Sequence, residues 1–134
     1  MPASKRTGHE FQIVMMDIDY FKKYNDNHGH IQGDRILVDL AALVNKKIHN
    51  SDFFVRYGGE EFILILTGIN SEISLPFLSG LMEEIENELN VTISLGVASS
   101  NMSVDFKQLL KFADNALYQS KQNGRNQISV SRAS

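Results

Sequence analysis

The chain has 134 residues, 43% hydrophobic and 22% charged, one domain's worth of ordinary globular composition. It has no cysteine, which excludes disulfides, thiolate metal sites and cysteine nucleophiles. Thirteen basic and sixteen acidic residues give a net charge of -3, the wrong balance for binding nucleic acid through overall charge, and no apolar run approaches the roughly 18 residues of a membrane helix. An intracellular, cytoplasmic soluble domain is therefore expected.

Residues 1–10 carry no pattern and read as a disordered or artificial start, leaving 11–130 as the domain and 131–134 as a tail. Residues 11–16 form a short apolar run ending at Asp17, which predicts a buried strand. Residues 19–33 are rich in Asn, His, Asp and Gly and read as turn or short irregular helix. Residues 34–48 repeat apolar side chains at spacings of three and four (Ile36, Leu40, Leu43, Val44, Ile48), which predicts a helix with Asp34 as its N-cap. Residues 53–57 and 62–66 are β-formers around Gly58-Gly59-Glu60-Glu61, a hairpin signal with a primed turn at the glycines. Residues 75–89 predict a second helix with Pro76 in its first turn, and 91–98 a strand. Residues 106–122 predict a third helix, with Phe106, Leu109, Leu110, Ala113 and Leu117 inward and Gly124 at its C-terminal cap, before a short strand at 127–130. The order implies an α/β chain, an α+β sandwich with a mainly antiparallel sheet and helices packed on it.

Four groups of residues could carry chemistry. Asp17-Ile18-Asp19 closes a buried strand, where carboxylate and carbonyl oxygens suit a hard cation that leaves room for phosphates. The plain alternative is a strand-ending Asp in an Asx turn. Glu60 and Glu61 follow two glycines against strand and turn propensity, and if the hairpin pairs beside the first strand Glu60 comes next to Asp17. Two carboxylates meeting there would suit phosphoryl or nucleotidyl transfer, while the alternative is an exposed turn. Lys121 and Arg125 flank a helix end, as caps or as phosphate ligands. Asn25, His30 and Asp34 lie around Gly29 and Gly33, where amide and carboxylate can read a guanine edge or simply serve turns.

Together these motifs resemble those of the GGDEF domains, the diguanylate cyclases. Arg56-Tyr57-Gly58-Gly59-Glu60-Glu61-Phe62 resembles the family signature in its GGEEF form. The segment Asp17 to Lys22, then Asn25-Asp26, Gly29-His30 and Gly33-Asp34, is similar to the family's upstream stretch. Val91 to Ala98, and Ala113 to Lys121 with Gly124-Arg125-Asn126, are similar to its downstream motifs. The resemblance implies a palm-like nucleotidyl cyclase fold with a five-stranded sheet. It implies condensation of two GTP into cyclic di-GMP with release of pyrophosphate, by a homodimer of half-sites. Asp17, the Ile18 carbonyl, Glu60 and Glu61 would hold Mg²⁺ or Mn²⁺, with Glu60, beside Glu61, helping to deprotonate the attacking 3′-hydroxyl. Asn25 and Asp34 would read guanine, His30 would line the site, and the amides of Tyr20, Phe21 and Lys22 with Lys121 and Arg125 would take the phosphates. The family's D-x-L-T-G-L-x-N-R helix is absent, which implies an N-terminally truncated domain and leaves a catalytically silent GTP-binding module as the alternative. The family's inhibitory product site is degenerate, with Asp52 present and His49 in place of Arg. The segment before Val91 also looks short, as though a β-hairpin common in the family were deleted.

Overall fold

The computed structural model describes residues 9–132, so most of the unpatterned start and the last two residues lie outside the described residues. Along the chain run β1 (Phe11–Ile18), α1 (Phe21–His28), α2 (His30–Lys47), β2 (Phe53–Gly58), β3 (Glu61–Thr67), α3 (Ser71–Leu89), β4 (Ile93–Ser99), α4 (Phe106–Gln122) and β5 (Ile128–Val130). The sheet order is β2-β3-β1-β4-β5, antiparallel except where β5 pairs parallel with β4. Strand alternation divides the core in two. Val14, Met16, Ile18, Phe62, Leu64, Ile93 and Leu95 face α2 and α3, while Ile13, Met15, Ile63 and Ala98 face Leu109, Ala113 and Leu117 of α4. Among the described residues no helix is long and apolar enough to cross a membrane.

Five strands and three helices fall where periodicity places them, and four details differ. The stretch 19–33 is not mainly turn: it holds α1 and the first four residues of α2. Asp34 is therefore inside α2, and the N-cap is Gly29, with φ 89° and no capping side chain. The reason is tertiary, because Gly33 lets α1 and α2 touch and that packing outweighs the local turn propensity. Helix α3 starts at Ser71, capped by Asn70, whose side chain accepts from the Ile73 amide at 3.0 Å, so Pro76 sits inside the helix and not in its first turn. Phe106 opens α4 at 46% exposure and points outward, because the inward stripe starts only at Leu109. The hairpin turn is Gly59-Glu60, with Gly58 already paired to Glu61, and only Gly59 takes a positive φ of 39°.

Both chain ends of the described region are tied to the sheet. The Gly68 amide donates to the Glu10 carbonyl at 2.7 Å, and the Ser131 amide donates to the Val97 carbonyl at 2.7 Å. Asn90 leaves α3 in the left-handed region (φ 62°), and β4 follows directly with no hairpin between them.

Candidate functional site

β1, the central strand, carries Asp17 to the end of the sheet, one residue before its own last residue. Register places Glu61 directly opposite Asp17, and the Ile18 amide donates to the Glu60 carbonyl at 3.3 Å. Glu61, not Glu60, is thus the cross-strand neighbour, and Glu60 sits in the turn just beyond it. Asp17 is 4% exposed. Lys121 from α4 reaches across, its ammonium against Asp17 Oδ2 and 3.9 Å from Glu61 Oε2. Burial pushes the Asp17 carboxyl up to about 6 against the pull of Lys121, with repulsion from Glu60 and Glu61 adding to the rise.

Asp17 Oδ1 is buried and has no hydrogen-bond partner. A buried acceptor left open in this way costs free energy unless something positive fills it, and a hard cation would do so. Among the described residues no three His, Cys, Asp or Glu side chains converge closely enough to hold a metal ion alone. A small divalent ion that keeps few protein ligands and takes phosphate oxygens fits such a donor set, whereas a closed protein cage does not.

The α1–α2 crossing brings Asn25 and Gly33 together. Asn25 Oδ1 is buried without a donor and lies where a Cβ on Gly33 would sit, 1.7 Å away. Asp34 follows Gly33 and His30 opens α2, both exposed. Asn25 therefore keeps an unsatisfied carbonyl beside a solvent-facing carboxylate. At the head of α1, Tyr20 is left-handed (φ 56°) and caps nothing with its side chain, so the first amides of α1 keep no capping acceptor. These include the amides of Phe21 and Lys22.

The loop after α4 closes on this same edge. Gly124 at φ 114° lets the Arg125 amide reach the Ser120 carbonyl at 2.9 Å, a Schellman closure. Arg125 then stands over the Tyr20 ring, 4.9 Å from its centroid. Asp17, Ile18, Tyr20, Phe21, Lys22, Glu60, Glu61, Lys121 and Arg125 thus share the end of the sheet where β1 meets β3 and α4. Asn25, His30 and Asp34 belong to the adjoining helix crossing.

Asp52 lies elsewhere. It is 7% exposed, with Oδ2 accepting from the His49 amide and Oδ1 from the Thr67 amide, each at 2.9 Å. Its carboxylate braces the loop between α2 and β2 against β3. Asp52→Ala is expected to lower stability by about 1–2 kcal/mol, since two part-buried amides lose their acceptor; thermal unfolding that leaves the midpoint unchanged would show the brace to be idle.

Two positions take on parts that the sequence motifs do not assign them. Gly33 matters because only a missing side chain leaves room for the Asn25 amide. Asp19 is paired to Thr92 and Ser94, and those two hydroxyls, two residues apart at the start of β4, are the available signal.

Comparison with known proteins gives a consistent picture. The family model described as "Diguanylate cyclase, GGDEF domain" matches residues 1–127. "Diguanylate cyclase A" of Treponema denticola is 39% identical over 129 residues, covering 90% of this chain and 35% of that protein. "Diguanylate cyclase DosC" of Escherichia coli is 32% identical over 140 residues, covering 98% of this chain and 30% of that protein. The chain thus spans about a third of the length of these curated relatives. Among solved structures, the active GGEEF domain of a diguanylate cyclase from Vibrio cholerae superposes with a TM-score of 0.86 at 32% identity, covering 94% of this chain and 85% of that one. The GGDEF domain of DgcB from Caulobacter crescentus, in complex with c-di-GMP, superposes with a TM-score of 0.86 at 27% identity, covering 96% and 82%.

Proposed function

We propose that this chain, which belongs to the GGDEF domain family of diguanylate cyclases, condenses two GTP into cyclic di-GMP and two pyrophosphates. The observation that carries this reading is the open, buried Oδ1 of Asp17, set opposite Glu61 and beside the Glu60 turn. Asp17, the Ile18 carbonyl, Glu60 and Glu61 would hold Mg²⁺ or Mn²⁺. When bound, the ion would acidify the attacking 3′-hydroxyl and neutralise the departing pyrophosphate.

The chain's own groups do the rest. Glu60, in the turn, accepts the hydroxyl proton. The uncapped amides of Tyr20, Phe21 and Lys22 at the head of α1 receive phosphate oxygens through the helix dipole. Lys121 and Arg125 supply positive charge to the terminal phosphates, Lys121 exchanging part of its pairing with Asp17 for them. Asn25 and Asp34 read the guanine edge, with His30 lining the same crossing, and the carboxylate of Asp34 favours guanine over adenine.

Each chain carries one such set, so turnover needs two chains facing each other with their 3′-hydroxyls and α-phosphates opposed. A reaction that consumes GTP would suit a domain working in the cytoplasm. Asp52 is engaged inside the fold and His49 offers no guanidinium, so product is not expected to bind tightly there.

Incubation of the chain with GTP and Mg²⁺ is expected to yield cyclic di-GMP. Rate per protein should rise with protein concentration, and Glu60→Gln should lower it at least about a hundredfold. GTP bound without product at every protein concentration would instead make the chain a silent nucleotide-binding module.

A further inference from the structure

We propose that Asp19 is a positioning residue that locks together the two halves of the triphosphate cradle, the head of α1 and Arg125; this rests on the nucleotide-binding reading above. Asp19 follows β1 two residues after Asp17 and is 6% exposed. Its carboxylate is engaged by donors within the fold. Oδ1 accepts from Ser94 Oγ at 2.6 Å, and Oδ2 accepts from Thr92 Oγ1 at 2.7 Å and from the Asn126 amide at 3.0 Å. Its own amide donates to the Thr92 carbonyl at 2.9 Å. A carboxylate with three donors on its two oxygens has little left to offer a cation.

Those contacts join three segments far apart in sequence: the β1–α1 junction, the start of β4 and the loop after α4. Each end of the clasp holds strained backbone. On one side Tyr20, the next residue, is left-handed at φ 56°. On the other, Arg125 and Asn126 are consecutive left-handed residues at φ 66° and 49°, neither of them glycine. Two such residues in a row persist only when the surroundings hold them, and the Asn126 amide is held by Asp19 Oδ2 and, at 3.2 Å, by Ser94 Oγ. With Asn126 pinned, the Arg125 guanidinium stays over the ring of Tyr20, the N-cap residue of α1. The one carboxylate thus sets the distance between the dipole and the cation that would grip the same phosphates.

The test is titration of wild type and Asp19→Asn with GTP, GMP and inorganic triphosphate. Asp19→Asn is expected to weaken GTP and triphosphate binding about tenfold while GMP affinity stays within about twofold, because GMP does not reach the cradle. Thr92→Val, which removes one donor and leaves the charge, should shift GTP binding in the same direction by less, and Thr92→Ser should restore it. Equal losses for GTP and GMP, or none for either, would overturn the proposal, and with it the cradle role of Asp19 against a merely structural one. Wild type that binds triphosphate without preferring GTP would sink the guanylate reading instead, while the triphosphate arm still decides the role of Asp19.

Discussion

Gly96→Ala is expected to unfold much of the domain, or to leave it at least about 10 °C less stable. Gly96 lies on β4 under α4, and a Cβ there would come within 2.1 Å of the Leu117 amide nitrogen and 2.2 Å of the Ala113 carbonyl oxygen. These are helix backbone atoms, so no side chain can swing aside, and the helix must lift from the sheet. Overpacking of this kind costs about 3 kcal/mol or more, a large share of the 5–15 kcal/mol that holds a domain together. Lifting α4 also breaks the bond from Ser120 Oγ to the Leu95 carbonyl at 2.8 Å and withdraws Lys121 from Asp17. Thermal unfolding checks the point, with Gly80→Ala as the matched control. Gly80 lies in α3 with nothing within 4 Å of its would-be Cβ, so alanine there should stabilise by up to about 1 kcal/mol. Equal, small effects at the two glycines would refute the close approach.

Asp17→Asn should abolish activity and yet raise the stability of the metal-free chain at pH 8. Burial, chiefly, pushes the folded carboxyl up to about 6 from an ordinary value of 3.8. Its folded pKa is raised, so the folded state binds the proton more tightly than the unfolded chain does. Stability from this group is therefore greatest below about 4 and is lost as pH rises through 6. Above that, the ionised Asp17 costs about 3 kcal/mol. Asparagine removes the charge but not the shape. The gain in unfolding midpoint should be several degrees at pH 8 and shrink as pH falls from 6 towards 4. Added Mg²⁺ should stabilise wild type and not the variant, because an ion that binds only the folded chain needs the carboxylate. A variant less stable than wild type at pH 8 in chelator would show that Lys121 already neutralises the site.

Gly96 permits α4 to approach closely enough for Lys121 to reach Asp17. Asp17 is in turn destabilised by burial, which makes it a strong acceptor for a cation and a poor one for water. Strain of this sort belongs at functional sites, where a free-energy cost in the empty protein becomes binding free energy.

The linear motifs were legible without coordinates. Gly-Gly-Glu-Glu between β-formers, the acidic end of an apolar strand and the basic residues around Gly124 are local patterns, and strands and helices α2 to α4 follow from periods of two and 3.6. Less visible were α1, with its run of Asn, Asp and His, and the early start of α2. Both depend on Asn25 meeting Gly33, a contact between helices that no local propensity encodes. Phe106 looked inward because its spacing matched the stripe, but it stands before the point where α4 meets the sheet.

The sequence by itself determined the element types, the membership of the family and the inventory of carboxylates, amides and cations. Chain chemistry and periodicity are properties of neighbours along the backbone, and so they can be read there. Only the tertiary structure decided which partners each carboxylate meets. Register put Glu61 rather than Glu60 across from Asp17, left Asp17 Oδ1 open, and turned Asp19, two residues away on the same chain, inward onto Thr92, Ser94 and Asn126. Two aspartates separated by one residue look alike in sequence; the donors to Asp19 come from 73 to 107 residues away, Asp17 meets Glu61 and Lys121 instead, and neither set of partners can be read locally.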